Sequence, residues 1–301
     1  MATVPVRARE GRSLLGKSMD QLGDWVVERN RPVLVGFTAF AVLVLAFIPS
    51  NELNDDFIGY FDDSVVYRQD VDITTERLTG AYQLQFSLDS GESNGVSDPA
   101  FLQRVGRFTD WLRLQPEVRH VNSISDTFKR LNKNLHGDDP AYYRLPEDFD
   151  LAAQYLLLYE LSLPYGLDLN NQLNIDKSST QVIVTLENMD SQSLLEVSAR
   201  GEAWLRDNTP KMTATGIGPA IMFAYISERN IKSMLVGTFL AVVLISAIMV
   251  GVLRSPRLGT ISLVPNLLPA GLAFGIWGMF VGELNMAVSM VSGMTLGIVV
   301  D

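Results

Sequence analysis

Asp301 is the residue whose setting most plainly suggests chemistry. Counting back in fours from it gives Gly297, Gly293 and Ser289, so three small residues and one acid share a helical face. Small residues at this spacing let a neighbouring helix backbone approach closely, which turns the acid toward protein instead of lipid. The run from Met286 to Val300 carries no charge. At about 1.5 Å of rise per residue, Asp301 lies roughly 24 Å in from Asn285, well inside a hydrocarbon core of about 30 Å. An ionised carboxylate at a helix centre costs about 2.5–3.5 kcal/mol on insertion scales. A carboxylic acid so placed can take up and release a proton. The alternative is that the helix ends nearby and Asp301 snorkels to the cytoplasmic interface. Spacing alone leaves both readings open.

A second pattern lies upstream, in the VPNLLPAG stretch. It holds Pro265, Asn266 and Pro269, followed by Gly271 and Gly275. Proline inside an apolar helix removes a backbone hydrogen bond and permits a kink. The bend could serve motion or packing alone. Elsewhere the chemistry-bearing residues are sparse. His120 and His136 have no metal-ligand spacing and read as surface residues. Asp55-Asp56, Asp62-Asp63 and Asp138-Asp139 lack an EF-hand pattern and read as solvated loops. TGIGP (215–219) lacks the lysine and following helix of a phosphate loop and reads as a flexible link. There is no cysteine, which excludes thiolate chemistry and disulfides. No metal, cofactor or enzymatic constellation is expected.

The elements that would position Asp301 are apolar spans. Residues 33–49 form a 17-residue uncharged run, residues 233–253 a run of 21, and residues 258–282 another uncharged run; a fourth starts at about Asn285. Between the first and second spans, residues 50–229 hold 28 Asp and Glu against 15 Lys and Arg, a net of −13 that exceeds the −10 of the whole chain. Such an acidic block argues against nucleic-acid binding. Six Lys or Arg (Arg7, Arg9, Arg12, Lys17, Arg29, Arg31) precede the first span, and Arg254 and Arg257 separate the second from the third. The positive-inside rule therefore puts the N-terminus and the 254–259 loop in the cytoplasm and residues 50–229 outside. FIPSNELND offers no convincing small-x-small cleavage site, which argues against a cleaved signal peptide. Leu15, Met19, Leu22 and Val26, with Trp25 beside them, make an apolar stripe in residues 1–32 suited to the headgroup layer.

The outer block reads as α+β. The expectation is a helix at about 61–78, then a strand over 82–88. Next comes a helix over 97–114, capped by Asp98 with Pro99 at its first position and Phe101, Val105, Phe108 and Leu112 on one face. A strand over 117–125 and an inserted helix over 148–161 follow. A second strand–helix–strand unit covers 181–187, about 190–206, and 212–216. Two such units in series suggest a ferredoxin-like, split βαβ domain. The expected fold class is thus an α-helical polytopic membrane protein with an inserted extracytoplasmic α+β domain. Its divisions are 1–32, 33–49, 50–229, 230–253, 254–259, 260–282 and 285–301.

LRSPRLGTISLVPNLLP and LGIVVD, in this order of one span, an outer domain and further spans, resemble the RND superfamily of transporters. The nearest branch is the MMPL-like exporters of hydrophobic and amphiphilic molecules, and the membrane region is similar to a sterol-sensing domain. The resemblance implies two similar halves, each with one span, a porter domain and five more spans, so this chain is expected to be an N-terminal piece lacking its C-terminal half. It implies that Asp301, within the stretch matching GIVVD, is a proton relay, with the proton gradient as energy source in place of a cofactor. It implies residence in the inner (plasma) membrane. The partners it implies are the bilayer and a lipid, sterol-like molecule or amphiphilic drug, with a homo-oligomer or periplasmic adaptor left open. Relay partners of Asp301 are expected beyond residue 301. Other functions on the same architecture are a protein-secretion accessory, a sterol-sensing receptor, or an anchored periplasmic binding module.

Overall fold

A computed structural model of the chain describes residues 23–164, 169–254 and 256–291. Two compact units emerge. The first comprises the described parts of Met1–Glu52 and Thr238–Glu283; the second comprises the described parts of Leu53–Gly237 and Leu284–Val291.

In the first unit, helix α1 (Asn30–Leu45) packs against helix α8 (Pro256–Phe280). Gly271 and Gly275 make the close approach possible. A Cβ on Gly275 would strike the carbonyl oxygen and side chain of Val44, and one on Gly271 would meet the Leu45 side chain at 2.6 Å. Beyond α1 a 3-10 turn, Ile48–Ser50, passes through Pro49. Asn51 then closes the junction by donating from Nδ2 to Ile48 O at 2.9 Å and Phe274 O at 3.0 Å. The side chain thereby ties the turn after α1 to the backbone of α8. The helical path of α8 continues unbroken through Pro265 and Pro269; the side chains of Pro265 and Asn266 lie outside the described residues. Asn30–Ser50 and Pro219–Val252 are long and apolar enough to cross a membrane, with mean hydropathies of 2.4 and 2.6. Their faces carry exposed Leu34, Phe37, Leu43, Phe239 and Leu244, a distribution suited to an apolar surrounding. Of the N-terminal stripe, Leu15, Met19 and Leu22 lie outside the described residues; Trp25 and Val26 are exposed on a helical stretch, 23–28.

In the second unit, helix α2 (Val66–Arg77) precedes a four-stranded sheet of β1 (Tyr82–Asp89), β2 (Val118–Asn122), β3 (Ser179–Leu186) and β4 (Gly216–Ile217). The order is β2-β3-β1-β4 and every neighbouring pair is antiparallel. β1 and β3 pair over eight residues, with Phe86 opposite Val182 and Leu84 opposite Val184. Alternation in YQLQFSLD turns Leu84, Phe86 and Leu88 to one face, where all three are fully buried. Helices α3 (Pro99–Arg113) and α6 (Ser191–Asn208) contribute to the core that covers this face. Each begins on an aspartate. Asp98 accepts from the N–H groups of Ala100 and Phe101, and Asp190 accepts from that of Ser193. Phe101, Val105, Phe108 and Leu112 of α3 are all buried as their spacing requires. Phe108 meets Phe86 edge-on at 5.1 Å, and Trp111 stacks on Trp204 of α6 at 5.7 Å.

Three expectations need correction. The strand expected over 117–125 ends at Asn122. Ser123 instead accepts from the Ser125 N–H and caps helix α4 (Ile124–Leu135), which the strand reading overlooked. Ile124, Phe128, Leu131 and Leu135 recur at helical spacing, so the pattern had switched from period 2 to period 3.6. The strand expected over 212–216 is confined to Gly216–Ile217. TGIGP is then no loose link. Gly218, at φ +147°, turns the chain from strand to helix in one residue, and Pro219 opens helix α7 (Pro219–Leu253) well before the uncharged run. Helix α5 (Phe149–Ser162) lies in the inserted segment as expected, held to α4 by Tyr155 Oη donating to Asn132 Oδ1 at 3.0 Å.

Gly201 of α6 faces the Phe86 ring, where an added Cβ would come within 2.7 Å of Cζ. Gly201→Val should therefore lower unfolding stability by about 1–3 kcal/mol through overpacking, and Phe86→Ala by about 3–5 kcal/mol through a cavity. Denaturant midpoints followed by near-ultraviolet circular dichroism of the stacked Trp111–Trp204 pair measure both. A wild-type midpoint for Gly201→Val would refute the close packing of α6 on the sheet.

Candidate functional site

Within the second unit a cavity of about 470 Å³ opens beside the first turns of α7, within the size range of small-molecule sites. Ala220, Phe223, Ala224, Ser227 and Asn230 of α7 form one wall, spaced so that they share a helical face. The segment after Leu53 supplies Asp55, Phe57 and Tyr60. Met189, Ser191 and Leu194 come from the start of α6, and Tyr82 from the first position of β1. Met286, Ala287 and Met290 come from a helical turn, 286–291, that Asn285 begins by accepting from the Val288 N–H at 2.9 Å. Phe57 stacks on Phe223 at 5.9 Å and meets Phe61 at 6.4 Å, so the walls are largely aromatic and methionine.

Asp55 is the one charged residue in this lining, and it is 7% exposed. Its backbone is clamped to the start of α6: Asp55 N–H donates to Ser191 Oγ at 3.1 Å and Ser191 N–H donates back to Asp55 O at 2.9 Å. Asn54 strengthens the joint, its Oδ1 accepting from the N–H groups of Asp55 and Gln192. The Asp55 carboxylate accepts from Tyr60 Oη at 2.5 Å on one oxygen and from Ser227 Oγ on the other. Burial pushes the Tyr60 phenol up to about 12, and the hydrogen bond and charge of Asp55 push the same way; backbone groups of Ala287 and Met286 pull against them. Burial likewise raises Tyr82 to about 12, with the charge of Asp56 adding to it. Tyr60 is therefore a donor, never an anion, at neutral pH.

Asp55 was expected in a solvated loop with Asp56, and the structure corrects that. The other members of the aspartate pairs do organise turns. Asp56 accepts from Ile58 and Gly59 N–H, Asp62 from Ser64 N–H, and Asp139 from Ala141 N–H. His120 is exposed, and His136 is an exposed residue stacked on Tyr142 at 3.9 Å. Among the described residues no three His, Asp or Glu side chains cluster as a metal would require. Of the small-residue stripe, Ser289 is 1% exposed; Gly293, Gly297 and Asp301 lie outside the described residues. Pro269 is exposed on α8.

Sequence reading missed the cavity because Asp55, Ser191, Ser227 and Met290 are scattered over 236 positions. One signal was present: the stripe 220, 223, 224, 227, 230 becomes visible once the helix is started at Pro219. Chemically the arrangement holds a carboxylate acceptor and two hydroxyl donors in an apolar chamber.

Tyr60 offers a pH test. Below pH 10 folded and unfolded chains both keep the phenol protonated and its contribution is complete. As pH rises from 10 through about 12 the unfolded chain ionises first, so stability is lost. Tyr60→Phe should lose less stability across that window than wild type, as read by thermal midpoints at a series of alkaline pH values. An unchanged alkaline slope would mean that Tyr60 titrates as if in water.

Comparison with known proteins adds one match. Residues 103–300 fit the model of the MMPL family, from within α3 through α7 and α8 to the penultimate residue. No curated protein matches the chain.

Proposed function

Because this chain belongs to the MMPL family, whose members are RND/MMPL-type membrane transporters, we propose that it exports hydrophobic or amphiphilic molecules, driven by the proton-motive force. The observation that carries this reading is that the family match runs over the α/β unit and the apolar helices together. The sheet order β2-β3-β1-β4, with α3 and α6 as crossovers, supports identifying the α/β unit as a ferredoxin-like porter domain. The positive charges before α1 and at Arg254 support a cytoplasmic N-terminus, an extracytoplasmic porter domain, and residence in the inner membrane.

In this reading Asp301 is the proton relay. A carboxylate held among helices demands polar partners, and a protonated acid does not. Loading and release of the proton thus favour two different helix packings, and alternation between them moves the porter domain. The small stripe Ser289, Gly293 and Gly297 lets another helix come close to Asp301, and a kink at Pro265, Asn266 and Pro269 gives α8 a place to bend.

The test is amphiphile flux in vesicles carrying the full-length protein under an imposed proton gradient. Asp301→Asn, which cannot exchange the proton, should reduce gradient-driven flux to background while leaving the protein folded and inserted. Wild-type flux in this variant would eliminate the relay role.

A further inference from the structure

The lining of the cavity beside α7 has an uneven chemistry. Phe57, Phe223, Leu194, Met286 and Met290 present apolar surface, and Asp55 is the only ionisable side chain among the lining residues besides the phenols of Tyr60 and Tyr82. Two hydroxyls contact the carboxylate, one per oxygen. Each oxygen can accept a further bond. Hydroxyl dipoles also do not neutralise a buried charge, which is costly without a cation. Among the described residues no Lys, Arg or His forms an ion pair with Asp55; Arg68 pairs with Asp72 and Lys232 with Glu228.

We propose that this cavity binds amphiphiles with a cationic polar group, such as an alkylammonium, and that Asp55 is their counter-ion and specificity-determining residue. The inference rests on the amphiphile-transport reading and narrows its substrate class. The mutually stacked Phe57 and Phe223 rings line the cavity and put aromatic surface beside the cation or its alkyl substituents. Unbranched, polarisable Met189, Met286 and Met290 adapt to chains of different shape. An anionic head in the same place would meet Asp55 with like charge in a poorly hydrated setting, and nothing in the lining would compensate it.

The test uses the full-length protein in nanodiscs of phosphatidylcholine, with radiolabelled decyltrimethylammonium, decyl sulfate and decyl maltoside as probes and empty discs as background. The cation should bind at least about tenfold more tightly than the anion. Asp55→Asn should abolish that preference, Asp55→Glu should retain it, and Ala224→Trp, which fills the cavity, should weaken all three probes. Equal affinities, an anion preference, or a cation preference that survives Asp55→Asn would overturn the proposal. Should Asp55→Asn fail to fold, the wild-type cation preference, retained in Asp55→Glu, together with the weakened binding of all three probes in Ala224→Trp, decides the matter. The transport reading fails separately. Gradient-driven flux of decyl maltoside without any charge preference in binding refutes only the counter-ion, whereas selective cation binding without flux refutes only export.

Discussion

The eight-residue antiparallel ladder between β1 and β3 is the interaction on which the α/β unit depends. It brings together two strands that lie about 90 residues apart in the chain, and it aligns Leu84, Phe86, Leu88, Val182 and Val184 into one apolar surface. Water must be removed from that surface, at roughly 25 cal/mol per Å², and α3 and α6 help do so. Once α6 is held by Gly201 against Phe86, its first turn has a defined place. Ser191 sits in that turn and clamps the backbone of Asp55. The candidate site therefore inherits its geometry from the sheet through one helix.

The apolar helices of the other unit answer to a different constraint. A backbone in hydrocarbon has no water to bond, so each N–H and C=O must be satisfied within its helix or by a neighbour. Beyond the end of α1, the Asn51 side chain adds a bond to a carbonyl of the following 3-10 turn and one to a carbonyl of α8. Without a strong hydrophobic drive between apolar helices, close backbone packing takes over. Gly271 and Gly275 give α8 the flat surface that this packing needs.

Helix α7 carries both kinds of surface in one element. At about 1.5 Å per residue its 35 residues extend about 52 Å, longer than a hydrocarbon core of about 30 Å. Glu228, Arg229 and Lys232 separate the cavity-lining first part from the uncharged run that starts at Ser233. The first part lines the cavity and presents Ser227 to Asp55.

By itself the sequence determined the apolar runs, the acidic block between the first two, the apolar faces and aspartate caps of α3 and α6, and the strands β1 and β3. Each of these is a local pattern, decided by period, charge or a capping side chain within a few residues. MMPL-family membership was legible too, because its motifs are contiguous. The helix that Ser123 caps was also legible in its spacing, which the strand reading passed over. Only the tertiary structure decided that β4 is two residues long, paired with Gln85 and Phe86 alone, and that α7 starts at Pro219. Only the tertiary structure, likewise, took Asp55 from a pair of ordinary-looking aspartates and buried it beside Tyr60 and Ser227. No spacing rule could foresee this, since the three residues belong to segments brought together by the packing of α6 and α7. The burial of a charge is a property of what surrounds it, and that is a matter of the fold.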